Sequence, residues 1–135
     1  MKSKQVLSIE QMKHLQELGL DTGDASMCWC RAISHKSVTW ELEIYEYVIN
    51  QKLDSNFWET TPTYTLQDIL DKLPESVQVY DLYIFKKVGL WWLKYVDVTN
   101  NGTVHLEKMP GIMDAAYYML CWCIEKGYIK RHGKY

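Results

Sequence analysis

The chain has 135 residues, 47% of them hydrophobic, with a formal net charge of −2 and a sequence pI near 6.1. That length suits one domain, 1–135, whose core closes without metals or disulfides, and the near-neutral balance argues against a protein built to neutralise many phosphates. No apolar run reaches the ~18 to 20 residues of a membrane span, and the start MKSKQVLSIEQ lacks the apolar centre of a secretion signal. A cytoplasmic protein with reduced Cys28, Cys30, Cys121 and Cys123 is therefore expected.

Ser8 with Gln11 three positions later predicts a capping box, and Ile9, Met12, Leu15 and Leu18 recur at helical spacing until Gly19 ends the helix. After a polar turn at Asp21 to Asp24, Ser26 to Ile33 alternates as a strand. Val38, Trp40, Leu42 and Ile44 alternate again beyond Ser34 to Ser37, which predicts a hairpin. Tyr45, Val48 and Ile49 would also suit a helical face, but strand is the preferred state there. Gln51 to Tyr64 has the composition of a loop, yet it carries Phe57 and Trp58, which either fold back on the core edge or await a partner.

Thr65 and Asp68 form a second capping signature ahead of Leu66, Ile69, Leu70 and Leu73, and Pro74 stops that helix after two turns. The stretch from Val79 to Leu106 predicts three consecutive antiparallel strands. Asn101-Gly102 is its strongest turn signal, because a two-residue type I′ turn needs positive φ at both positions. A two-residue loop there would set Asn100 opposite Thr103, Val98 opposite His105 and Val96 opposite Glu107. Trp91, Leu93, Tyr95, Val104 and Leu106 then share the core face, while Trp92, Lys94, Val96, Val98, His105 and Glu107 share the other; a three-residue loop would change the pairing. The last helix is predicted over 112–126, with Met113, Ala116, Tyr117, Leu120 and Ile124 inward, Asp114 in its first turn and Gly127 after its end. Lys130, Arg131, His132 and Lys134 form a short basic tail.

Cys-Trp-Cys occurs twice, but zinc is not expected. Structural zinc favours two residues between paired thiolates, and on a helix Cys121 and Cys123 diverge by about 200°. Buried cysteines used as small apolar residues account for the pattern. The four histidines are scattered, and no H-E-x-x-H, G-x-S-x-G or glycine-rich phosphate loop is present. Glu41, Glu43 and Glu46 are taken as a solvated face. No catalytic, cofactor-binding or metal-binding residue is assigned, and no cofactor is expected.

The segments LSIEQMKHLQELGLDTGDASMCW, PTYTLQDILDKLP and DAAYYMLCWCIEKGYIK resemble small uncharacterised proteins of Bacteroides-type phages and integrated mobile elements. The resemblance covers most of the chain, least so Arg31 to Glu59. It implies a phage or mobile-element context and carries over no activity.

The expected fold is α+β, an antiparallel sheet of about five strands with the N-terminal and C-terminal helices packed on one face. The expected function is non-enzymatic: binding of an unknown protein partner, or self-association into a homodimer, through an aromatic sheet face built from Trp92, Val96 and Val98 with Phe57 and Trp58. Single-stranded nucleic-acid binding is the rival, with aromatics stacking bases and Lys130 to Lys134 holding phosphate. Net charge argues against nucleic acid, and no membrane partner is expected.

Overall fold

The structure is a computed structural model that describes residues 4–33, 40–50 and 58–130. The Ser8 signature forms as a complete capping box: the Gln11 amide donates to Ser8 Oγ at 3.1 Å, and the Ser8 amide donates to Gln11 Oε1 at 3.0 Å. Helix α1, Ile9–Glu17, starts there and buries Met12 and Leu15. Strand β1, Met27–Ala32, pairs antiparallel with β2, Glu41–Ile44, on one side and with β3, Trp58–Thr63, on the other. The turn expected at Ser34 to Ser37 lies outside the described residues.

Two expectations for this half are corrected. The chain leaves β2 at Ile44 and turns into helix α2, Tyr45–Asn50, whose Tyr45 amide donates to Ser26 O at 3.1 Å; Val48 is buried on it, so the helical spacing prevailed over strand alternation. The supposed loop before Tyr64 contains β3. Its Pro62 sits opposite Cys28 in the outermost strand of the order β2-β1-β3, where a residue without an amide proton is tolerated because one edge of the strand makes no ladder among the described residues.

Thr65 caps helix α3, Leu66–Lys72, in the same reciprocal way with Asp68, and Leu73 ends it in an extended conformation ahead of Pro74. Four antiparallel strands follow in the order β4 (Ser76–Val77), β5 (Tyr80–Lys87), β6 (Leu90–Asp97) and β7 (Thr103–Met109). Helix α4, Ile112–Glu125, closes the described chain and packs on β6 and β7, with α3 beside it. The fold is thus α+β with antiparallel sheets. The described residues form seven strands in two sheets instead of about five in one, and α1 lies against β3 of the smaller sheet. A single core gathers Leu15, Tyr64, Ile69, Leu93, Tyr95 and Leu120 from both halves. Tyr95 reaches through it to donate to Pro74 O at 2.7 Å, and the Cys123 thiol lies 3.7 Å from the same hydroxyl.

The turns hold the main surprise. Asn101-Gly102 does not make a two-residue loop. The Asp97 amide donates to Gly102 O at 2.9 Å and the Asn101 amide to Asp97 O at 2.8 Å, which closes a loop over 98–101 with only Asn101 in the left-handed region, at φ 59°. Thr99 anchors it by donating through its amide and hydroxyl to Asp97 Oδ1 at 2.8 and 2.5 Å. The two-residue loop with positive φ at both positions lies instead between β5 and β6, at Val88 (φ 56°) and Gly89 (φ 73°), flanked by the pair Lys87 and Leu90. A β-branched residue is strained at that φ, and Val88 is 82% exposed, so no packing compensates. Val88→Asn is expected to raise unfolding stability by about 1 kcal/mol, read as a higher urea midpoint at unchanged slope. A fall in the midpoint would contradict a strained Val88.

Candidate functional site

Register decides what each sheet face offers. With the longer β6–β7 loop and a bulge between Tyr95 and Val96, Tyr95 faces His105, Lys94 faces Leu106, Leu93 faces Glu107 and Trp92 faces Lys108. Relative to the expected pairing this is a shift by an odd number, so parity inverts along β7. His105 and Glu107 move to the face that carries Leu93 and Tyr95, and Leu106 moves to the outer face beside Lys94 and Trp92.

The outer face is built on three cross-strand rows. Phe85 opposes Trp92, which opposes Lys108; Tyr83 opposes Lys94, which opposes Leu106; Lys87 opposes Leu90 nearest the turn. Phe85 and Trp92 stack with ring centroids 5.7 Å apart and planes 14° from parallel. Trp92 Nε1 donates to Lys87 O at 3.0 Å, which fixes the indole against the hairpin. The Lys108 ammonium lies 4.8 Å from the Trp92 centroid and the Lys94 ammonium 5.5 Å from that of Phe85. Tyr83, at 50% exposure, extends the aromatic row, and Asp81, opposite Val96, is its acidic member.

Of the five expected interface residues, the four that are described do not share one exposed patch. Trp92 is half-buried on this face, and Val98 is 51% exposed in the β6–β7 loop. Val96 shares the parity of Trp92 but is only 7% exposed, so it offers almost no surface. Trp58 begins β3 opposite Ala32 in the other sheet, and Phe57 lies outside the described residues. Phe85, Tyr83 and Lys108 were missed. The alternation over 80–87 was the signal that could have found the first two, since it places Tyr83 and Phe85 on the parity of Lys87.

Cavities among the described residues lie elsewhere. One of about 430 Å³ is lined by Asp24, Asp68, Asp71 and Lys72 beside Tyr64 and Ile129, and its polar groups are engaged with one another. Buried Tyr64 donates to Asp24 Oδ1 at 2.7 Å, and Lys72 pairs with the other Asp24 oxygen. Ser26 and the Thr65 amide donate to Asp68, and Gln67 donates to Asp71 at 2.8 Å. Partial burial pushes the Asp24 pKa up, but the hydrogen bonds from Lys72 and Tyr64 and the lysine's charge outweigh it, holding the carboxyl below its ordinary 3.8. A depressed folded-state pKa contributes stability above the unfolded value, and that contribution is lost as pH falls through the folded one. Urea midpoints taken from roughly pH 5 down to pH 2 should therefore fall less for Asp24→Asn than for the parent. The difference will be small because the carboxylate is 55% exposed. Equal acid limbs would dismiss the pair as a stabiliser.

The second cavity, about 240 Å³, lies against α4 and β7 and includes His105, Glu107 and Trp122. His105 Nε2 is 3.2 Å from Glu107 Oε1, and its ring stacks on Trp122 at 4.4 Å. Cys121 borders it. Burial pushes this thiol up to about 11, with Glu125 and Glu107 adding to the shift against the opposing hydrogen bond from Tyr117. The thiol is therefore a neutral group near pH 7 and not an activated nucleophile. Cys123 is pushed up to about 11 by burial, and Cys28 to about 11 by burial, Cys30 and Glu43. Cys121 and Cys123 belong to the main core; Cys28 and Cys30 do not. Among the described residues no group of three or more His, Cys, Asp or Glu side chains is placed to hold a metal ion, and no helix is long and apolar enough to cross a membrane.

No family model matches the chain, and no curated protein or solved structure does so either.

Proposed function

We propose that the chain is a non-enzymatic binding protein whose working surface is the outer face of the four-stranded sheet, and that this face takes single-stranded nucleic acid. The observation that carries the reading is the Phe85–Trp92 stack with the Lys108 and Lys94 ammoniums set over its rings. Aromatic rings interleaved with lysines are what a single strand needs, because bases stack without regard to sequence while ammoniums track the phosphates. Energetics favour the exchange. An exposed lysine over a ring contributes about 0.5–1 kcal/mol, whereas a base stacked on an aromatic contributes about 1–3 kcal/mol, so an incoming base can displace the ammonium and leave it free for phosphate.

The net charge of −2 had weighed against this ligand. Net charge averages over the whole surface, and the outer face carries Lys87, Lys94 and Lys108 against Asp81 alone. Lysine is moreover depleted in protein–protein interfaces, which lowers the weight of a protein partner on this face. A cytoplasmic setting fits the reading, and so does the phage or mobile-element context that the sequence resemblance implies.

The test is retention of a fluorescent single-stranded DNA or RNA oligonucleotide over a series of salt concentrations. Three phosphate contacts predict a logarithmic salt slope near ~2, about 0.7 per lysine. No retention at low salt, or retention insensitive to salt, rules the reading out. Self-association remains the second reading, favoured by the exposed Tyr83 on strand β5, which β4 covers only at Tyr80 and Asp81 among the described residues. Sedimentation of the parent against Trp92→Lys separates the two: a parent dimer that the substitution turns into a folded monomer supports self-association, and a monomeric parent removes it.

A further inference from the structure

We propose that the outer edge of β7 pairs antiparallel with the β7 edge of a second copy, joining two four-stranded sheets into one about a twofold axis at Leu106. Sheet edges recruit further chains unless they are short, interrupted or covered. Among the described residues the other edges are blunted in these ways. β2 has four residues, β3 carries Pro62, and β5 is shielded by β4 at Tyr80 and Asp81, with Glu75 O taking the Leu82 amide at 3.1 Å. β7 runs for seven residues and pairs with β6 alone.

The ladder fixes which backbone groups that edge presents. The Asp97 amide turns to the β7 side, donating to Gly102 O at 2.9 Å, and period two sends Tyr95, Leu93 and Trp91 the same way. Their partners His105, Glu107 and Met109 therefore exchange hydrogen bonds with β6, which leaves the amides and carbonyls of Leu106 and Lys108 turned outward. A twofold axis at Leu106 makes a hydrogen-bonded pair of that residue with itself and sets His105 opposite Glu107 of the second copy, in both directions. Moving the axis to Glu107 or to Lys108 puts like charges directly opposite. Moving it toward Val104 shortens the overlap and meets the bulge opposite Tyr95 and Val96.

Helix α4 offers a second surface on the same side. It is buried around most of its circumference, but Tyr118 is 46% exposed and Trp122, one turn on, is half-buried. Both border the hollow of about 240 Å³ beside His105 and Glu107 of β7. Because α4 covers β6 and β7, and strands lie about 4.8 Å apart, the two copies of α4 come to rest roughly 10 Å from each other, the ordinary distance of packed helices. Tyr118 of each copy then faces the other's hollow. The axis is normal to the sheet, so the Phe85–Trp92 stacks of both copies stay uncovered on one outer face. This dimer is therefore independent of the nucleic-acid reading and distinct from self-association through Trp92.

Sedimentation of the intact chain without oligonucleotide is the experiment. The parent should sediment at twice its 16.0 kDa mass, and Trp92→Lys should remain dimeric. Leu106→Lys, which sets two ammoniums on the axis, should raise the dissociation constant about tenfold or more with an unchanged circular dichroism spectrum. Leu106→Cys should form a disulfide-linked dimer under mild oxidation, since the two Cα atoms of a hydrogen-bonded pair stand about 5.5 Å apart, within disulfide reach. Val79→Cys, at a position 44% exposed and away from β7, is the control. A monomeric parent, a dimer that Trp92→Lys dissolves, or Leu106→Cys that links no faster than Val79→Cys would each overturn the proposal.

Discussion

Trp92→Ala is expected to lose about ten- to a hundredfold in affinity for a single-stranded oligonucleotide while remaining folded. The loss follows from removing the larger of the two stacked rings, and with it the partner of Phe85 and of the Lys108 ammonium. The fold survives because the indole is half-buried and stands outside the main core. The remaining cost is the Phe85 contact and the hydrogen bond to Lys87 O, on the order of 1–2 kcal/mol. Tyr47→Ala supplies the control, being an aromatic at 60% exposure on α2. Lys94→Gln and Lys108→Gln should each reduce the salt slope by about 0.7 without changing which sequences are retained. If Trp92→Ala binds as the parent does, or Tyr47→Ala loses as much, the stack is not the binding element.

The neighbouring residue should behave in the opposite way. Leu93→Ala is expected to cost about 3 kcal/mol of stability, within the usual ~2–5 kcal/mol for a buried leucine, and to lower Tm by on the order of 10 °C. Leu93 has no exposed surface and sits between Ile84 and Glu107 in the ladder, on the face that α4 covers. Truncation leaves a cavity between helix and sheet, which adds to the lost transfer free energy. Circular dichroism with urea reads the effect. A cost under about 1 kcal/mol would mean that Leu93 does not face the core.

Adjacent residues with such different consequences show why the paired tryptophans were informative. Alternation alone requires Trp91 and Trp92 to part. Trp91 does take the parity of Leu93 and Tyr95, but at the far end, opposite Lys86 and Met109 and beneath the Lys86 ammonium at 5.7 Å, so it is only half-buried. The aromatic partner of Trp92 is Phe85, across the ladder and seven residues earlier in the chain. That neighbour became visible only when the β5–β6 turn was located at Val88-Gly89, a pair without the usual Asn or Asp that announces such turns.

Features governed by interactions within one helical turn were legible in the sequence. Both capping boxes, the stop at Pro74, the inward stripe of α4 and the antiparallel order of β5, β6 and β7 follow from spacing and side-chain chemistry that act over a few residues. Features that depend on distant partners were not. β3 is a strand because β1, some 30 residues earlier, offers it an edge; its Thr- and Pro-rich composition gives no such signal. The register of β7 depends on whether the loop has two residues or four, and Asn101 satisfies either because both loops place it in the left-handed region. Packing of α4 against β6 and β7 selected between them. It brought His105 and Glu107 to the cavity side and left Leu106 and Lys108 beside Trp92, so tertiary structure, not sequence, decided which residues share each candidate site.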